Sequence, residues 1–165
     1  MPRKYVLGAF VLILLIAAVA LAFRPEPVVE QPVAFPHRTH IENQMECLSC
    51  HTNADRSIAA GIPSVTECMI CHENIKPDSP EIKKLAAFST RNEEPPWVRV
   101  YRFEPEADVN FTHKRHIKAG VDCSVCHGDV ANAMLMRRDV HWTMGRCIDC
   151  HRERNVSVDC LTCHK

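Results

Sequence analysis

The sequence predicts a mostly irregular, partly helical fold with little regular secondary structure, preceded by one apolar helix. Three observations lead there. Ten cysteines fall into five copies of one short motif, ten histidines accompany them, and the aliphatic content is only moderate once the N-terminal apolar run is set aside. Such a chain cannot fill an interior with side chains alone. Whatever the cysteines and histidines hold must supply the rest of the core.

The elements follow in chain order. Residues 1–4 carry Arg3 and Lys4, and Tyr5 to Phe23 is an uncharged apolar run of 19 residues, YVLGAFVLILLIAAVALAF. At about 1.5 Å per residue, such a helix covers roughly 28 Å, close to the hydrocarbon thickness of a bilayer. The two leading cations place residues 1–4 in the cytoplasm and everything after Phe23 on the far, periplasmic side. The small residues of Ala18-Val19-Ala20 and Ala20-Leu21-Ala22 also fit a signal-peptide cleavage site. Signal-peptide apolar cores run to about 7–15 residues, however, so the longer run here favours a retained single-pass transmembrane anchor over 5–23. Residues 24–36, RPEPVVEQPVAFP, are dense in proline and read as an extended linker, which leaves 37–165 as the folded domain.

The cysteines carry the strongest signal. They read Cys47-Leu-Ser-Cys50-His51, Cys68-Met-Ile-Cys71-His72, Cys123-Ser-Val-Cys126-His127, Cys147-Ile-Asp-Cys150-His151 and Cys160-Leu-Thr-Cys163-His164, with none left over. Paired zinc knuckles fail on parity, and neither zinc nor a thiol redox pair explains a histidine after every second cysteine. C-x-x-C-H is the attachment signature of c-type haem: two thiols bond the porphyrin and the adjacent histidine ligates iron. The reading is five covalently bound haem c groups, with His51, His72, His127, His151 and His164 as proximal ligands. The porphyrins are then the core around which the peptide wraps.

Five histidines remain for five sixth positions: His37, His40, His113, His116 and His141. Four of them lie in two copies of F-x-H-x-x-H-x6-C-x-x-C-H, led by Phe35 and Phe111 and offset by 76 residues. Each copy carries a second C-x-x-C-H further on, so the chain reads as dihaem units over about 35–75 and 111–151, with a fifth haem at 160–164. On a helical turn, residues three apart leave the axis about 60° apart, so one H-x-x-H can reach two haems. For the remaining sixth position, His141 and Met144 compete, since a thioether is the common alternative ligand in c-type cytochromes.

Two further elements complete the chain. Residues 80–88 form a helix, with Pro80 suited to the first turn and Ser79 as its cap. Trp97 to Phe103 alternates like a short strand or extended arm, its aromatic residues packing against porphyrin edges. The formal net charge of zero gives no nucleic-acid footprint, and neither a Gly-rich phosphate loop nor a G-x-S-x-G elbow is present.

The runs GIPSVTECMICHENI, WVRVY, FTHKRHIKAGVDCSVCHG and TMGRCIDCHRE resemble the membrane-anchored pentahaem cytochrome c subunit of alternative complex III and related quinone reductase complexes, within the cytochrome c3/c7 grouping. The resemblance runs from Phe35 to Lys165. It departs at Arg146, where the family carries tryptophan after T-M-G. The resemblance implies an electron-transfer subunit without catalytic residues of its own. Its partners would be an iron–sulfur/molybdopterin-type subunit, a polytopic quinone-binding subunit and a further redox carrier. It also implies that His37 serves the Cys47/Cys50 haem and His113 the Cys123/Cys126 haem, with His40 and His116 reaching other haems, and it points to Met144 as a ligand. Two rival functions stand beside this one: a free periplasmic carrier released by signal cleavage, and a multihaem oxyanion reductase, which would need one iron with an open position.

Overall fold

A computed structural model describes residues 3–23 and 28–164. Helix α1 spans Arg3–Ala22, and every side chain from Tyr5 to Leu21 is exposed. Among the described residues no helix is long and apolar enough to cross a membrane. The span expected over 5–23 is therefore unsupported among the described residues.

Beyond α1 the helices are short: α2 His37–Glu42, α3 Cys47–Cys50, α4 Val65–His72, α5 Pro80–Thr90, α6 His113–Lys118, α7 Cys123–His127, α8 Met144–Glu153 and α9 Cys160–Cys163. No strand forms among the described residues; two isolated antiparallel bridges, Val28 with Arg137 and Val109 with His164, are the extent of β pairing there. Residues 97–103 accordingly form an extended arm. Its first aromatic residue, Trp97, packs on a small side-chain core.

That core is Val33, Val65 and Leu85, each no more than 5% exposed, with Cys68, Met69, Phe88 and Trp97 around it. It sits where α4 meets α5. Helix α4 begins with a capping box: the Ser64 hydroxyl accepts from the Glu67 backbone N–H, and the Glu67 carboxylate accepts from the Ser64 N–H. Helix α5 has Pro80 in its first turn, but the Ser79 side chain makes no capping bond, and the helix continues to Thr90. The expected linker is described from Val28, and there it is docked to the domain. Gln31 exchanges two hydrogen bonds with the backbone of Val98, at 2.8 and 3.0 Å. Ala34 N–H donates to Glu81 at 2.7 Å, and Val33 enters the core.

The two copies of the repeat are interlocked through their backbones. Helix α2 lies against the Val130–Asn132 turn, with Arg38 N–H donating to the Ala133 carbonyl at 3.0 Å. Helix α6 is held in return by the loop after α3: His113 N–H donates to the Ile58 carbonyl at 3.3 Å and Lys114 N–H to the Ser57 carbonyl at 3.2 Å. Each H-x-x-H helix is thus seated on the opposite half of the domain.

Candidate haem-binding sites

The H-x-x-H pairs occupy the first turns of α2 and α6, and the leading phenylalanine organises both. Phe35 stacks on His40 at 4.3 Å between ring centroids and meets His37 edge-on at 4.9 Å. Phe111 stacks on His116 at 4.5 Å and meets His113 edge-on at 4.9 Å. The repeat is therefore a repeat of geometry as well as of letters. One ring fixes the angle between two imidazoles.

These imidazoles face the motif histidines. Ring centroids lie 6.1 Å apart for His40 and His72, 6.2 Å for His113 and His127, and 6.2 Å for His116 and His151. A metal–imidazole bond is about 2 Å, so two rings on opposite sides of one ion have centroids about 6 Å apart. His37 is an electrostatic neighbour of His51. Three of the four distal candidates thus oppose a motif histidine directly, and the second histidine of each pair reaches the second C-x-x-C-H. His164 instead faces the chain at 107–110: its Nδ1 lies 3.1 Å from the Ala107 carbonyl, and Asn110 N–H donates to the Cys163 carbonyl at 2.7 Å. Met144 is 68% exposed at the start of α8.

Residues 18–96 match the class III cytochrome c family, and residues 109–165 match cytochrome c7 and related cytochromes c. The multihaem cytochrome c subunit of the menaquinone reductase of Nitratidesulfovibrio vulgaris (strain Hildenborough) is 29% identical over 164 aligned positions, covering 82% of this chain and 77% of that protein. The chain is a multihaem cytochrome of the c3/c7 type.

The residues of this cytochrome fit haem in three respects. First, all ten cysteines are free thiols, spaced one helical turn apart within each motif and partly or fully exposed. Burial pushes the thiols of Cys50, Cys68, Cys123, Cys126 and Cys147 above the ordinary range. Second, several motifs are fixed at their first turn by a side-chain cap: Asp122 accepts from Ser124 N–H, Thr143 from Arg146 N–H and Asp159 from Leu161 N–H. Third, seven histidines place Nδ1 against a backbone carbonyl. The contacts are His40 to Pro36, His51 to Gly61, His72 to Ile75, His113 to Ile58, His116 to Thr112, His151 to Ser157 and His164 to Ala107, all between 2.7 and 3.1 Å. Donation from Nδ1–H fixes the tautomer that leaves the Nε2 lone pair for a metal.

His37 and His127 differ from these. The Nδ1 of His37 is buried without a partner, and the His127 ring lies among aromatic edges, Tyr101 at 4.6 Å and Trp142 at 5.6 Å. Burial above all, then neighbouring histidines, lowers both pKa values to about 4, so both rings are neutral at physiological pH. A neutral imidazole is the form that coordinates iron.

The motifs also have a spatial order. Cys68 faces Cys50, Cys47 and Cys123 meet side by side, Cys126 neighbours Cys150, and Cys147 neighbours Cys163. By the number of each motif in the chain, the succession in space is second, first, third, fourth, fifth. The two halves therefore meet through their first motifs.

Aromatic residues outside the C-x-x-C-H motifs hold the third motif. Tyr101 OH donates to the His127 carbonyl at 2.9 Å and accepts from Asp139 N–H at 3.1 Å, while Trp142 Nε1–H donates to the Cys126 carbonyl at 2.8 Å. Gly128 follows His127 at φ +72°, where a side chain would be strained and would meet Asp139 Cβ at 3.1 Å. Phe103 continues the aromatic chain, 5.1 Å from Trp142 and 5.8 Å from Phe111. The WVRVY run, already notable in the sequence, is where the signal for Tyr101 lay.

Proposed function

We propose that this cytochrome carries five haem c groups and conducts electrons as a subunit of a membrane quinone oxidoreductase complex of the alternative complex III or menaquinone reductase kind. The observation that carries the reading is the unbroken spatial succession of the five C-x-x-C-H motifs, each beside the next. Bound haem supplies reversible one-electron chemistry at iron. The chain supplies the placement: cysteine pairs fix each porphyrin, and the histidines fix each iron from two sides.

In this reading the residues that would hold the irons are paired as His37/His51, His40/His72, His113/His127 and His116/His151, and His164 would be joined by His141 or Met144. Two imidazoles on an iron leave no position for an oxyanion, so the arrangement favours conduction over reduction of a small molecule. The named function of the menaquinone reductase relative supports a quinone complex, with a polytopic quinone-binding subunit and an iron–sulfur or molybdopterin-type subunit as partners. Helix α1, apolar and exposed throughout Tyr5–Leu21, is proposed to hold the domain at the extracytoplasmic face of the cell membrane.

Two measurements test this. The intact mass of the matured protein is expected to exceed that of the peptide by five haems, and any other number overturns the count. Purification from native membranes is expected to bring down a polytopic subunit and an iron–sulfur subunit. Recovery of a lone soluble chain lacking its N-terminal segment supports the free periplasmic carrier instead.

A further inference from the structure

The four bis-histidine sites differ in what stands behind their imidazoles, and the difference follows their order in space. At the site of His40 and His72 both rings set Nδ1 on a carbonyl, that of Pro36 at 2.9 Å and that of Ile75 at 2.9 Å. The site of His116 and His151 is the same, with Thr112 at 2.9 Å and Ser157 at 2.8 Å. At the site of His37 and His51 only His51 is so bonded, to Gly61 at 2.7 Å, while the Nδ1 of His37 is buried without a partner. At the site of His113 and His127, among the described residues, His113 is bonded to Ile58 at 2.7 Å while His127 is boxed by aromatic edges, Tyr101 at 4.6 Å and Trp142 at 5.6 Å. The two singly bonded sites are the ones that meet, through Cys47 and Cys123, at the middle of the succession.

We propose that these two inner sites, His37/His51 and His113/His127, hold an electron at higher potential than the outer sites His40/His72 and His116/His151. The inference rests on the ligand reading given above. An Nδ1–H donated to a carbonyl makes the imidazole a stronger base toward its metal, which stabilises the ferric state and lowers the potential. The inner irons have one such ligand and the outer irons two. The hydrogen-bond difference therefore raises the same two sites. An electron passing along the chain would rest at the junction of the halves, with a lower-potential site on either side.

The experiment is a spectroscopic redox titration of the full five-haem protein beside the single variants His37→Met, His40→Met, His113→Met and His116→Met. Exchanging one imidazole for a thioether raises the potential of the haem that it ligates, so that haem leaves its place in the titration curve. A variant that loses the haem altogether, detected by intact mass, reports the same position by the component that goes missing. His40→Met and His116→Met are expected to remove lower-potential components, and His37→Met and His113→Met higher ones. Any assignment placing the His40 or His116 site above the His37 or His113 site overturns the inference, as does a five-haem protein whose four components coincide. A wild-type mass showing fewer than five haems overturns the ligand reading instead.

Discussion

The two halves of the domain share one motif and are built from different materials. The first half places α4 and α5 against each other over Val33, Val65 and Leu85, so part of it has a side-chain core of the ordinary kind. The second half, from Phe111 to Glu153, has no buried residue among those described and is held by Tyr101, Phe103 and Trp142 from the extended arm and its neighbour. The same four-ligand pattern thus stands once on a peptide scaffold and once almost wholly on what it binds. The attachment motif sets the ligands and leaves the support free to vary.

The sharpest way to break this comparison is to withhold haem. In the chain produced without haem attachment, hydrogen exchange is expected to show residual protection over 64–91 and none over 111–153. Equal protection of the two halves would remove the distinction. Next in size, Leu85→Ala opens a cavity in the α4–α5 core and is expected to cost about 3 kcal/mol in the first half. A denaturant titration followed by Soret absorbance, with proteolysis to locate the opening, should show release of the second-motif haem region before the third and fourth. Smallest is Tyr101→Phe, which strips the His127 carbonyl and the Asp139 N–H of one partner and is expected to cost about 1–2 kcal/mol, confined to the second half. If Tyr101→Phe cost more than Leu85→Ala, the aromatic arm and not the α4–α5 core would be the main peptide support.

Much of this was legible in the sequence because c-type attachment is a short local code. Two cysteines and a histidine must be adjacent in the chain, so Cys47 to His51 and its four counterparts can be read without any fold. The pairing of His40 with His72 and of His116 with His151 could not be read, because it depends on how loops of 20 or more residues return in space. The carbonyls behind the imidazoles, at Pro36, Thr112 and Ile58, were invisible for a related reason: a backbone acceptor has no letter of its own. The docked course of Gln31 and Val33 was hidden by proline density, which signals extended chain but not whether that chain is packed. For α1, composition over 5–23 met the length of a bilayer, while among the described residues no helix is long and apolar enough to cross one.

The phenylalanine that opens each repeat has a consequence for how such proteins lengthen. Because Phe35 and Phe111 each set two imidazoles at once, the smallest inheritable piece of this architecture comprises a pair of centres and the ring between them. Duplicating that piece adds redox centres two at a time, already spaced and oriented, without redesign of what came before. A wire made this way grows by cassettes.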